Sequence, residues 1–353
     1  MTTNSSKIRV LIVDDSSVIR RLISTALTKH PDIEIAGTAE NGLLGVEFVQ
    51  KEPPDVVLLD VEMPVMDGIT ALKEIRKFNP FLPIIIFSTH TQRGAAVTID
   101  ALTNGASDYA PKPSNMTDID ESLTVIENTL MPKIRSLVSK ESVPDIASPE
   151  KALITTLPDQ HQKVGALCIG ISTGGPSALM QLFQEITAPL SVPIFIVQHM
   201  PPKFTELLAK RLSEVGSTLI EEPYDGQEPI PGNGYIAPGG MHMEVNLFNG
   251  KPVINLTDKP PENSCRPAVD VLFRTAAKVY GNQLLAIVMT GMGSDGVKGA
   301  GDIIENKGTV LAQDEGSSVV WGMPGAVVKA NLASKVIPLN SIAKELQNRI
   351  AAK

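Results

Sequence analysis

Cysteine is almost absent: Cys168 and Cys265 are the only two in 353 residues. That excludes a disulfide-framed secreted scaffold and points to two free thiols in a reducing cytoplasm. Long apolar runs are missing as well. None reaches the roughly 18 to 20 residues of a membrane span, and the apolar run in MTTNSSKIRVLIVDD is too short for a signal peptide and is followed at once by acids. Basic excess is lacking, with 31 Lys and Arg against 39 Asp and Glu for a net charge of −8. Nucleic-acid binding and direct membrane insertion are therefore disfavoured, since both need dense positive charge or long apolar segments on one face.

What is present suits soluble globular cores: 42% hydrophobic and 20% charged residues. The length predicts two domains of roughly 120 to 200 residues each. From residue 7 to 130, short β-branched runs (IRVLIV, IEIAGTA, DVVLLD, PIIIFS, SDYA) alternate with helical patterns, which predicts α/β architecture with a parallel, doubly wound sheet. Residues 131–163 are rich in Ser, Pro and charge and read as a linker with a helical start. A second alternation fills 164–350, through GALCIGIS, VPIFIVQH, GYIAPG, LLAIVMTG and TVLAQD, and a turn-linked pair around LFNGKPVINL predicts a β-hairpin insertion in its middle third. The expected fold is two doubly wound parallel-sheet domains, the first flavodoxin-like and the second Rossmann-like.

In such sheets ligands sit beyond the carboxyl ends of the strands. In the first domain Asp14 and Asp15 follow one strand, Asp60 ends another, Ser88 ends a third and Lys112 follows the last. Three converging carboxylates repel unless a cation neutralises them, and hard oxygen ligands suit Mg²⁺. The set fits phosphoryl transfer onto Asp60, with the metal and Lys112 holding developing charge. Any one of these acids could instead be a helix N-cap, and Asp67 in VMDGI, just before a helical pattern, is read as one.

In the second domain, Gly170-Ile171-Ser172-Thr173-Gly174 fits G-x-S-x-G between a strand and a helix. The glycines leave room for a sharp turn and close approach of a substrate, and Pro176 suits the first turn of the next helix. The same turn could cradle a phosphate on the helix N-terminus, although it lacks the Lys of G-x-x-x-x-G-K-S/T. Spacing alone leaves nucleophile, anion cradle and plain structural turn open. A nucleophilic serine needs a base. Of five histidines, His30 lies at a helix end, His90 in a loop of the first domain and His161 in the linker. His199 closes VPIFIVQH and emerges at the same sheet edge as Ser172, whereas His242 in APGGMHMEV reads as a satisfied loop residue. Asp295, in the glycine-rich turn after LLAIVMTG, would orient the imidazole, with helix capping as its alternative. Cys265 and Cys168 are read as structural, and Trp321 as either a cleft wall or a packing residue.

The motifs DD, LLDVEMPVMDG, FST and APKP resemble the response-regulator receiver domain, and IGISTGGP, VQHMPPKFT, APGGMH, CRPAVDVLF, TGMGSDG and VVWGMPGAV resemble the chemotaxis protein-glutamate methylesterases. The first resemblance implies phosphorylation of Asp60 by a histidine kinase with Mg²⁺ bound by Asp14, Asp15 and Asp60, and Ser88, Tyr109 and Lys112 as switch residues. The second implies Ser172 as nucleophile, His199 as general base and acid, Asp295 as its orienting partner, and an oxyanion held near Thr173 and the Met292 amide. It also implies hydrolysis of methyl esters on chemoreceptor glutamates without a further cofactor, possible deamidation of receptor glutamines, and a receiver that covers the cleft until phosphorylated.

Overall fold

The computed structural model describes residues 7–88, 92–113, 119–138 and 163–350. His90 and His161, singled out above, lie outside them. The chain divides into two compact units, Met1–Asp145 and Ile146–Lys353.

The first unit is built from five strand–helix pairs: β1 (Ile8–Val13) and α1 (Ser17–Thr28), β2 (Ile33–Ala39) and α2 (Gly42–Lys51), β3 (Val56–Asp60) and α3 (Gly68–Phe78), β4 (Ile84–Ser88) and α4 (Gln92–Thr103), β5 (Asp108–Pro111) and α5 (Ile119–Val138). The strands pair in parallel in the order β2-β1-β3-β4-β5. The apolar runs of β1, β3 and β4 are buried on both faces, as a helix-covered parallel sheet requires, while the edge strand β2 is only partly covered. Asp67 is the N-cap of α3, its carboxylate accepting from the Thr70 amide at 2.7 Å. The last helix continues through Pro132 to Val138, into the stretch expected to begin the linker. Proline removes a helical N–H and its ring crowds the preceding turn. Tertiary contacts outweigh that cost, because Met131 and Ile134 are buried in the core and Lys133 and Arg135 pair with Asp108 and Asp32.

The second unit contains β6 (Ala166–Ile171), α6 (Gly175–Glu185), β7 (Ile194–Gln198), α7 (Phe204–Val215), β8 (Ile220–Glu221) and β9 (Gly234–Ile236). The hairpin β10 (His242–Phe248) and β11 (Lys251–Thr257) follows. The chain then returns through α8 (Val269–Tyr280), β12 (Leu284–Val288), α9 (Val297–Glu305), β13 (Thr309–Gln313), α10 (Met323–Lys329), β14 (Lys335–Ile337) and α11 (Leu339–Ile350). Seven strands pair in parallel in the order β14-β13-β12-β6-β7-β9-β8. The hairpin stands apart as a two-stranded antiparallel sheet. It buries Met243, Val245 and Ile254 in the cluster that also holds Phe273, Ala276 and Ala277 of α8. The short elements β8, β14 and α10 went unforeseen, since two to seven residues carry too little periodicity to register.

Both sheets reverse their winding at one point. In the first unit this falls between β1 and β3, in the second between β6 and β12. Each reversal opens a crevice beyond the carboxyl ends of the strands.

Candidate active site and phosphoacceptor pocket

Asp14 and Asp60 leave the first crevice buried, with Asp15 exposed at its rim. A carboxylate oxygen from each of the three lies within 4.8 Å of the others. The Lys112 ammonium sits 2.8 Å from both Asp14 Oδ2 and Asp60 Oδ2. Burial raises the Asp60 carboxyl above its ordinary range, the Lys112 bond opposing it and Asp14 adding to it. Hard oxygen donors this close, with two of them buried, fit Mg²⁺. Ser88, buried at the end of β4, donates to the Gly94 carbonyl at 3.4 Å. Tyr109 is half-buried on β5 with the Lys133 ammonium 5.5 Å from its ring centre. Burial, and secondarily Asp108, pushes the Tyr109 phenol far above its ordinary value.

In the second crevice, register decides the neighbours. Ile171 of β6 pairs with Gln198 of β7, so Ser172 and His199 leave adjacent strand ends, and the His199 amide donates to the Ile171 carbonyl at 3.3 Å. The Ser172 amide donates across the sheet to the Thr290 carbonyl at 3.0 Å, just past β12. The Gln198 side chain donates to the Ser172 carbonyl at 3.0 Å. The serine backbone is thus held from both sides.

Left-handed backbone falls on Gly174 (φ 77°), and Ser172 is not among the positive-φ residues, so the serine itself is unstrained. A Cβ on Gly170 would meet Val269 Cγ1 at 2.4 Å. That glycine clears a neighbouring side chain, not a substrate. The helix start also argues against an anion cradle, because the Gly175 amide is already bonded to the Ser172 carbonyl at 2.8 Å and Pro176 has none to offer.

His199 Nε2 lies 2.8 Å from Asp295 Oδ2. Burial alone would lower the imidazole, yet the Asp295 bond and the Cys265 thiol outweigh it and push it up to about 9. Asp295 is 3% exposed. Burial alone would raise its carboxyl, but His199 and the amide donors hold it below its ordinary value. The Val269 amide donates to Oδ2 at 2.7 Å, and the Asp270 amide and Asn263 Nδ2 donate to Oδ1 at 3.0 and 2.8 Å.

Asp270, 1% exposed, mirrors this arrangement. Its Oδ1 accepts from the Gly296 and Gly299 backbone amides at 3.0 and 2.7 Å, and its Oδ2 from Asn263 Nδ2 at 2.8 Å. Burial raises its carboxyl, the Gly299 and Asn263 bonds offsetting part of that. The acid that precedes α9 therefore caps α8, and an acid at the start of α8 caps α9, each favoured by the positive end of the helix it meets. One asparagine bridges the two.

Asn263 reaches them from a tight turn. Glu262 and Cys265 exchange both backbone hydrogen bonds, at 2.9 and 3.1 Å, with Asn263 and Ser264 between them at φ 52° and 62°, the conformation of a two-residue primed turn. Arg274 of α8 anchors the turn through both Glu262 carboxylate oxygens, at 3.1 and 2.7 Å. Cys265 is set against the His199 ring. The sequence reads Cys265 as structural, and the fold sets its thiol beside a histidine.

Around the serine, Thr173 is buried and its carbonyl accepts from Thr290 Oγ1 at 2.9 Å, while Met292 is 40% exposed. Gly291, next to Met292, is so near the serine that a Cβ there would lie 2.8 Å from Ser172 Cβ. His242 begins β10, buried, its Nε2 3.1 Å from the Pro260 carbonyl. Trp321 packs its ring over Gly325 and donates to the Gln313 carbonyl at 3.0 Å.

A parallel sheet whose reversal point gathers two buried acids and a lysine defines a response-regulator unit. The second sheet, with serine, imidazole and carboxylate at its edge, is of the hydrolase class. The comparisons agree with both. The receiver-domain family matches residues 10–124, and the CheB methylesterase family matches 167–346. A protein-glutamate methylesterase/protein-glutamine glutaminase of Nocardioides sp. is 47% identical, covering 98% of this chain and 96% of its own, and one of Pyrococcus abyssi is 40% identical over 97% and 93%. The crystal structure of the Thermotoga maritima CheB methylesterase catalytic domain is similar at TM-score 0.51 and 39% identity, covering 53% of this chain and 99% of that one. The chain belongs to the CheB methylesterase family of response regulators. No described helix is long and apolar enough to cross a membrane.

Proposed function

We propose that the chain is a cytoplasmic, phosphorylation-regulated esterase acting on methylated glutamates of chemoreceptors. Its receiver would span 7–130 and its catalytic domain 164–350, joined by 131–163. The 2.8 Å bond between His199 and Asp295, beside a serine on the adjoining strand end, carries this reading.

Asp295 holds the Nε2–H, which leaves Nδ1 to take the Ser172 hydroxyl proton as Oγ attacks the ester carbonyl. The proton then passes to departing methanol, and water activated by the same imidazole hydrolyses the acyl-enzyme. Amides near Thr173 and Met292 would stabilise the tetrahedral oxyanion by about 3 kcal/mol per donor. Attack on a receptor glutamine would follow the same steps with ammonia leaving.

In the receiver, Asp14, Asp15 and Asp60 would hold Mg²⁺, which when bound neutralises the phosphoryl oxygens. Asp60 takes the phosphoryl group from a partner histidine kinase, Lys112 moves from a carboxylate to the new anion, and Ser88 and Tyr109 respond to it. Ser172→Ala should abolish methanol release from methylated receptor membranes. Asp60→Asn should keep the basal rate and lose stimulation by a small phosphodonor. A Ser172→Ala protein that still releases methanol would overturn the assignment.

A further inference from the structure

We propose that His199, Cys265 and Asp295 form a binding site for a soft divalent cation of the zinc class, and that occupancy silences the serine chemistry. The silencing rests on the function proposed above. The binding does not.

One ligand atom from each of the three residues lies within 4.8 Å of the others. A tetrahedral zinc with bonds of about 2.0 to 2.3 Å spaces its ligand atoms by about 3.5 Å, so small side-chain rotations close the set. The donor types are decisive. Among the described residues two clusters could hold a metal. Asp14, Asp15 and Asp60 offer oxygens alone and suit a hard ion, whereas thiolate with imidazole and carboxylate selects a softer one. The site is also built in advance. Cys265 sits at the end of a primed turn pinned by Arg274, His199 at a strand end, and Asp295 under three hydrogen bonds besides the one to His199. Cys265 is only half-buried and His199 keeps 12% of its side chain exposed, so an ion has a way in.

Binding releases the thiol proton to solvent and shifts the imidazole proton from Nε2 to Nδ1, so that the cation is held by the Nε2 lone pair, the thiolate and the carboxylate. With Nδ1 protonated, the ring is no acceptor for the Ser172 proton. Inhibition is reversible because nothing covalent forms, and chelation restores the base.

Co²⁺ serves as the optical probe, added to the full chain in excess Mg²⁺ that keeps the receiver acids filled. A thiolate-to-cobalt charge-transfer band should rise to one ion per chain, bleach when Zn²⁺ is added, and vanish in Cys265→Ser, Cys265→Ala and His199→Gln proteins shown to be folded by circular dichroism. Zn²⁺ should lower ester hydrolysis by about tenfold or more in the parent, and by less than about twofold in Cys265→Ser, each measured against its own metal-free rate. No band, a band that survives loss of either side chain, or equal inhibition of parent and Cys265→Ser would overturn the proposal. A cobalt band in a protein that hydrolyses no ester would leave the metal site standing and refute the esterase reading instead.

Discussion

Asn263→Gly tests whether the catalytic carboxylate is held by its surroundings. Glycine keeps the left-handed backbone that Asn263 adopts at φ 52°, so only the side chain is lost. With it go two hydrogen bonds to ionised groups, at 2.8 Å each, to Asp295 and Asp270. Buried bonds of this kind contribute about 1.5 to 3 kcal/mol each. Asn263 itself is exposed, so water replaces part of the loss, and unfolding in urea should show a destabilisation of about 1 to 3 kcal/mol. Asp295 keeps the Val269 and Asp270 amides and His199, so the site persists with one oxygen loosened. The turnover rate should fall about tenfold, near 1.4 kcal/mol of barrier, with KM unchanged. Steady-state methanol release over a range of receptor concentrations reads both. A variant within twofold of the parent turnover rate would show that the two amides position Asp295 without help, and the bridging argument would fail.

Gly291→Ala places a Cβ 2.5 Å from Met323 Sδ and 2.8 Å from Ser172 Cβ, so it should cost about 1 to 3 kcal/mol of stability and displace the serine, reducing esterase turnover at least as far as Asn263→Gly; parent-level kinetics would place the nucleophile elsewhere. Because His199 is pushed up to about 9 and a base must be unprotonated, ester hydrolysis in chelator should climb with pH through a midpoint near 9 and level off only above it; a plateau already reached at neutral pH would contradict the geometry. Lys112→Met removes the ammonium that bridges Asp14 and Asp60, so calorimetry should find Mg²⁺ bound several-fold more tightly while phosphodonor stimulation disappears.

The strand ends carried most of what the sequence could reveal. Ser172, His199 and Asp295 each follow an apolar run whose period marks it as a strand, and parallel crossovers then bring those ends to one edge. Asp14, Asp60 and Lys112 were legible for the same reason. Asn263, Asp270 and Cys265 were not, because they meet the site through a turn and a helix start, where proximity follows from hydrogen bonds between residues some thirty positions apart. The dipeptide Asn263-Ser264 signalled a turn and Asp270 an acid in the first turn of an amphipathic helix, but neither says which way it faces. The helical start read into 131–163 is the end of α5, which core packing carries past Pro132 to Val138.

The exchanged caps of α8 and α9 give Asp295 two employments at once. It serves the imidazole, and it also fastens a helix that belongs to the scaffold. A substitution that spares the chemistry by relocating the acid would still unbutton the architecture, so natural drift at this position is confined by folding even in a descendant that has lost its substrate. Such a relic would keep the aspartate long after the serine had been forgotten.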